Sequence, residues 1–365
     1  MPYISYDLPK YPCERDMWDE LAAERRPIVV YGMGNGADKL IERFAAYGIE
    51  VADFFASDGF VRGHSFHGKR VKSFSEIKET YPEFVIVLSF ASNRTEVLDM
   101  LADIDAHYDM YVPDMPVAGT EEYFDREFFN ENYSSILAAY ECLSDDESRA
   151  AFSAVINYKL SGRMRYLEGA YSDRDDIYGL LPCGNIRACV DAGAYNGDTV
   201  REAIKYFPAL ERVWAIEPDA RNFKKLLRFA EEAPVSVNTV NAAAWCENTD
   251  GAFLGSGNRN SSVSSTASFE HRCEAVSLLR IDSLTDERID YVKYDVEGAE
   301  AEALRGSAGV ILRDRPSMLV SLYHRSRDIF DIVNDLAVKY PFYNLYLRRL
   351  RCVPAWELDL LLVPK

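Results

Sequence analysis

Twice in this chain a short apolar run ends in glycines and opens into a helical pattern. The first is Pro27-Ile28-Val29-Val30-Tyr31 before Gly32-Met33-Gly34-Asn35-Gly36; the second is Ala188–Ala192 before Gly193-Ala194-Tyr195-Asn196-Gly197. A strand buried on both faces reads as a continuous apolar run, and glycine permits the tight turn that follows. The amphipathic segment beyond each loop is then a crossover helix. Two such openings restrict the chain to α/β folds built on parallel sheets. A length of 365 residues has room for two domains.

The pattern repeats after each opening. In the first half a helix is predicted over 37–47, with Leu40, Ile41, Phe44 and Ala45 on one face and Gly48 as its stop. A strand is predicted at Val51–Ala56, a capping box at Ser73–Glu76, a strand at Phe84–Ser89 and a helix from Asn93 to Leu101. In the second half strands are predicted at Ala188–Ala192, Val213–Ile216, Val235–Val240, Tyr291–Tyr294, Met318–Tyr323, Asn344–Leu347 and Trp356–Val363. Helices are predicted near 197–206, 219–230, 299–305 and 327–339. Residues 250–280, rich in Ser, Gly and Asn, read as an insertion with irregular strands. Between the halves, 119–170 has no strand-like run. Its aromatics and its helical spacing of Phe152, Val155, Ile156 and Leu160 predict helices that link two domains or cover a site, with the aromatics in the core.

Composition excludes several classes. Apolar residues make up 48% of the chain and aromatics 13%, which argues against disorder. No apolar run reaches the roughly 18–20 residues that span a bilayer. The opening MPYISYDLPKYPCERD has no basic start before an apolar stretch, so a cytoplasmic location without a signal peptide is expected. The net charge of −18 is uneven: residues 1–150 hold 14 basic and 29 acidic groups, and residues 151–365 hold 27 and 30. Such acidity argues against nucleic acid or anionic membrane as a partner. The seven scattered cysteines contain no CxxC pair, which fits free thiols in a reducing compartment and not a zinc site.

The second glycine loop carries the chemistry. In Asp191-Ala192-Gly193-Ala194-Tyr195-Asn196-Gly197-Asp198-Thr199, two acids would repel a pyrophosphate but suit a ligand with an ammonium or sulfonium group. The next strand ends in Glu217-Pro218, where an acid can accept both hydroxyls of a ribose. The third ends Asn241-Ala242-Ala243-Ala244, small residues that leave room for an adenine beside a polar amide. The fourth ends Asp295-Val296-Glu297-Gly298. Ligands of open α/β sheets bind beyond the carboxyl ends of the strands, so the four segments should converge.

These segments, DAGAYNGDT, AIEPD and above all DYVKYDVEGAEAEALRG, together with Val320–Arg325, resemble the FkbM family of S-adenosylmethionine-dependent methyltransferases. The resemblance covers about residues 185–365. It implies the seven-strand sheet of class I methyltransferases with a final antiparallel strand, S-adenosylmethionine as cofactor, and methyl transfer to a hydroxyl of a small molecule such as a sugar, glycoconjugate or secondary metabolite. It implies that Asp191 and Gly193 to Thr199 hold the methionine part, Glu217 with Pro218 the ribose, and Asn241, Ala242 and Ala243 the adenine. Asp295 would lie near the methionine amine or the transferring methyl. Tyr195 and Tyr294 depart from the family's usual residues and leave substrate size open. The resulting organisation is a Rossmann-like α/β domain over 1–118, a helical linker or cover over 119–180 and a methyltransferase domain over 181–365, with a homodimer as one possible assembly.

A hydroxyl acceptor benefits from a general base. His324 is the first candidate because its ordinary pKa is near neutral, and Asp295 and Glu297 are the others. Asp295, Glu297 and His324 could instead hold a divalent cation, but no further ligand is identifiable by spacing, so no metal is assigned. Structural readings stand beside these. Asp191 could cap the following helix, Glu217 could be a solvated strand end, Glu297 could pair with Arg305 or Lys293, and His324 could be bonded to backbone. Glu300 and Glu302 read as a solvated helix face, and His64 and His67 as loop residues.

The first glycine loop is a GxGxG with Asp53 and Asp58 near the next strand end, a weak dinucleotide pattern. It fits a degenerate module that positions an acceptor or partner, a nucleotide-sugar site, or a dimer surface. Two other readings of the whole chain are a nicotinamide-dependent oxidoreductase using this loop, and a non-catalytic cofactor-binding protein.

Overall fold

The computed structural model describes residues 6–61, 63–117, 122–254, 262–264 and 273–365. His271 and much of the segment expected to be an irregular insertion lie outside the described residues. The strands of the two main sheets are numbered β1 to β12. The smaller sheet holds β1 (Ile28–Tyr31), β2 (Val51–Ala56), β3 (Lys72–Ser73), β4 (Val85–Leu88) and β5 (Asp109–Tyr111), in the order β3-β2-β1-β4-β5. All its pairings are parallel. The helices α1 (Asn35–Tyr47), α2 (Phe74–Thr80) and α3 (Thr95–His107) connect them. Ser73 and Glu76 form the predicted capping box, and Gly48 ends α1 in the left-handed conformation.

The larger sheet holds β6 (Ala188–Ala192), β7 (Arg212–Ile216), β8 (Ser236–Val240), β9 (Tyr291–Tyr294), β10 (Ser317–Ser321), β11 (Tyr343–Arg349) and β12 (Leu358–Pro364). Its order is β8-β7-β6-β9-β10-β12-β11, and β12 runs antiparallel to both neighbours. This is the sheet the resemblance implies. The strand order reverses between β6 and β9, which makes the crevice beyond their carboxyl ends the natural ligand site.

Two long helices, α4 (Arg126–Cys142) and α5 (Asp146–Ser161), fill the segment that lacks strands. Asp125 and Asp145 cap them through Phe128 N and Ser148 N. Helix α4 packs on α9 (Asp328–Lys339), and α5 packs along β11. Phe129, Phe152, Val155 and Ile156 are fully buried there, so the aromatics are core. One apolar core runs from the small sheet (Val29, Phe55, Ile86) through these helices into the large sheet (Val292, Val320, Leu360). No described helix is long and apolar enough to cross a membrane.

The first glycine loop is bound into its own sheet. Gly32 N donates to the Phe55 carbonyl, and a Cβ on Gly36 would lie 2.1 Å from the Ser89 carbonyl oxygen. Glycine at 36 is therefore explained by the close approach of β4's end. His67 Nε2 lies 2.8 Å from Asp38 Oδ1, so it pairs with an acid on α1.

Candidate active site beyond the strand ends of the large sheet

The loop after β6 is folded against two neighbouring strands. Gly193 N and Ala194 N donate to the Ile216 carbonyl at 3.0 and 2.9 Å, which ties the loop to the end of β7. Gly193 has φ +90°, and a Cβ there would fall 1.9 Å from the Asp295 carbonyl oxygen after β9. Only glycine lets these two strand ends meet. Gly197 (φ +85°) starts α6 (Asp198–Tyr206), and the ring of Phe229, on α7 (Ala220–Glu232), occupies the space a side chain would need. Beneath the loop the buried Asp191 accepts a hydrogen bond from the Thr199 hydroxyl in the first turn of α6. Its other oxygen makes no hydrogen bond and faces Lys293 Nζ at 3.9 Å.

Glu217, at the end of β7, is 5% exposed. Its oxygens accept from Tyr195 N at 2.9 Å and Asp219 N at 2.8 Å. Burial outweighs these bonds and raises its pKa to about 7. It is no solvated strand end.

A cavity of about 770 Å³ opens over these strand ends. Of the residues singled out in the sequence, Gly193, Tyr195, Asp198, Thr199, Glu217, Pro218, Ala243, Asp295 and Glu297 line it. Asp191, Ala194, Asn196, Gly197, Asn241, Ala242 and His324 stand outside its lining. Asn241 turns its amide back to donate to the Glu217 and Pro218 carbonyls, so it braces the strand end. The lining holds eight carboxylates against Arg174 and Lys293.

Several of those carboxylates escaped the sequence reading. Glu202 lies one helical turn beyond Asp198. Asp359 is buried on β12, where the Ser321 hydroxyl donates to it, and burial beside Glu357 raises its pKa to about 7. The available signal was an acid inside the apolar run Leu358-Asp359-Leu360-Leu361-Leu362. Asn93, which follows the end of β4, also reaches the lining from the small sheet.

The cavity floor is a charge network. Lys293 Nζ donates to Asp295 Oδ2 at 3.1 Å, and the Tyr323 hydroxyl donates to Asp295 Oδ1 at 3.2 Å. Burial would raise the pKa of Asp295, but Lys293 and His324 outweigh it and hold it down at about 2. Glu297 has φ +54°, an uncommon conformation for a residue with a side chain. His324 is fully buried. Its Nδ1 lies 3.0 Å from Glu300 Oε1, and its Nε2 lies 3.6 Å from Asp295 Oδ1 and 3.5 Å from Glu297 Oε2. Neither ring nitrogen is aligned for a hydrogen bond. Burial would lower its pKa, but the three carboxylates outweigh it and raise it to about 10. A histidine held charged cannot accept a proton near neutrality, which counts against His324 as the base.

Glu300 is not the solvated residue expected. It is 1% exposed on α8 (Glu300–Arg305) and accepts from Val296 N at 2.9 Å, closing the turn that carries Glu297. Glu302 takes Arg305 instead, at 3.0 Å.

Residues 191–349 match the profile of the methyltransferase FkbM domain. Among solved structures the chain is similar to the methyltransferase FkbM from Methylobacillus flagellatus KT, at 20% identity and a TM-score of 0.69, over 94% of this chain and 92% of that one. A smaller likeness is to Aeropyrum pernix fibrillarin in complex with natively bound S-adenosyl-L-methionine, at 15% identity and a TM-score of 0.33, over 50% and 69% of the two chains. No curated protein matches. By this match residues 191–349 form a methyltransferase FkbM domain.

Proposed function

We propose that the protein transfers a methyl group from S-adenosylmethionine to a hydroxyl of a small molecule, in the class of sugars, glycoconjugates or secondary metabolites. The observation that carries this reading is the acid-lined cavity, in which Glu217 and Asp295 stand at the ends of the two strands that flank β6. The donor set fits the cofactor's charges: carboxylates suit an ammonium and a sulfonium, and Gly193, by letting the ends of β6 and β9 meet, brings loop backbone to the cavity wall. When bound, the cofactor supplies a methyl carbon that bonds to the acceptor oxygen as its bond to sulfur breaks, the electron pair staying on sulfur.

The chain's residues then have separate tasks. Glu217 accepts the ribose hydroxyls, and Ala243 and Ala244 leave space for the base. Asp191 holds the loop through Thr199 and so shapes the methionine end. Glu297 receives the acceptor's hydroxyl proton: it lines the cavity with 31% of its side chain exposed, whereas Asp295 binds a proton too weakly. His324 lies beneath Asp295 and Glu297 and fixes the positions of both carboxylates. The cavity walls align the reacting atoms.

Calorimetry with the product S-adenosylhomocysteine tests the reading. Wild type should bind, and Glu217→Ala should bind about 10- to 100-fold more weakly, the range for hydrogen bonds to a charged group. A panel of hydroxylated acceptors should then release S-adenosylhomocysteine on turnover. Wild type that fails to bind, or Glu217→Ala that binds unchanged, removes the basis.

A further inference from the structure

We propose that the cavity floor is a metal site, in which His324, Asp295 and Glu297 hold one divalent first-row cation and Glu300 orients the histidine. One oxygen of Asp295, one of Glu300 and a ring nitrogen of His324 all lie within 4.8 Å of one another. His324 is fully buried with both ring nitrogens lacking a hydrogen bond, although three carboxylates stand 3.0 to 3.6 Å away. Close approach without hydrogen-bond alignment is the geometry of atoms gathered around a shared centre. For bonds of about 2.1 Å, adjacent ligand atoms stand roughly 3.0–3.4 Å apart. The distances from Nε2 to Asp295 and Glu297 are only slightly longer.

The roles divide by atom. Glu300 Oε1 stands 3.0 Å from Nδ1, so when a metal displaces the Nε2 proton the carboxylate is placed to hold the proton left on Nδ1, the carboxylate–histidine–metal arrangement. Asp295 gives Oδ2 to Lys293, and its Oδ1, which also accepts from the Tyr323 hydroxyl, lies on the histidine side. Lys293 offsets one of the three carboxylates, which leaves two negative charges for a divalent ion. An imidazole ligand favours iron, nickel, copper or zinc over magnesium, which takes oxygen, and two carboxylates also admit manganese. Asp295 and Glu297 also line the cavity, so the ion would keep positions open to it. A hydroxyl bound there loses its proton more readily. That catalytic role rests on the methyl-transfer reading, whereas the site itself does not.

The test uses the full chain, freed of metal by chelation, with no cofactor or acceptor present. Mn²⁺ is titrated and the free ion is followed by electron paramagnetic resonance. One Mn²⁺ per chain should bind at micromolar concentrations, and the bound ion should show spin-echo modulation from an imidazole nitrogen. His324→Gln and Glu300→Gln should each weaken binding at least tenfold while S-adenosylhomocysteine affinity is retained. No binding of Mn²⁺ or Zn²⁺ below millimolar concentration overturns the site. So does bound Mn²⁺ without nitrogen modulation, a wild-type readout that does not depend on any variant folding. If S-adenosylhomocysteine binds but the metals do not, this inference fails and the methyl-transfer reading stands. If the metals bind and S-adenosylhomocysteine does not, the reverse holds.

Discussion

At the scale of single residues, Glu217 links the fold to a measurable pH dependence. Its carboxyl has a pKa of about 7 in the folded chain, with burial as the first cause, against an ordinary value of 4.5. Only the ionised form offers both oxygens to ribose hydroxyls. S-adenosylhomocysteine affinity should therefore rise about tenfold per pH unit up to neutrality and level off above about pH 7.5. Glu217→Gln should bind more weakly and flatten the profile; a wild-type profile already flat from pH 5 to 8 would separate Glu217 from the ribose. The same shift has a stability consequence. The folded state holds the proton between about 4.5 and 7, so this contribution is full below 4.5 and is lost as pH rises through 7. Glu217 was legible in the sequence because a strand-end acid at a fixed place carries meaning of its own. Glu300 and Asp359 were not, because their burial is decided by segments distant in sequence: β9's turn and His324 cover one, and β10 covers the other.

At the scale of elements, the strands and helices with strong apolar periodicity were legible, and those capped from far away were not. The strands β6, β7 and β9 and the helices α6 and α9 announce themselves by pattern. The helix Ala308–Asp314 does not, because Gly306-Ser307-Ala308-Gly309 reads as a loop. Its start is made by Asp282, whose two oxygens accept from Gly309 N at 3.1 Å and Val310 N at 2.8 Å across 27 and 28 residues of chain. That cap replaces the local Ser or Asp signal on which a sequence reading relies. Asp282→Ala should destabilise the protein by about 1–2 kcal/mol in urea unfolding, with Asp282→Asn losing less than half of that. Equal losses in the two variants would place the effect in the Arg280–Asp282 ion pair instead.

At the scale of the whole molecule, the small sheet is joined to the large one beside the cavity. Ser92 and Val353 exchange two backbone hydrogen bonds, at 2.7 and 2.9 Å, and Arg351 pairs with Asp99 at 2.8 Å. The segment after β4 is thereby held against the turn between β11 and β12, and it brings Asn93 into the cavity lining. No pattern within residues 1–118 could reveal this, since the contact is made by the far end of the chain. Every residue proposed to hold the cofactor comes from the large sheet, so a polar side chain delivered from the small one is placed to meet the acceptor. Asn93→Ala should raise the acceptor KM several-fold, about the loss of one hydrogen bond of 1 kcal/mol, with any acceptor of the panel that turns over. S-adenosylhomocysteine affinity, measured by calorimetry on the same preparation, should stay within twofold of wild type. A matched loss of cofactor affinity would move Asn93 to the cofactor's side of the cavity and would leave the small sheet without a part in choosing the acceptor.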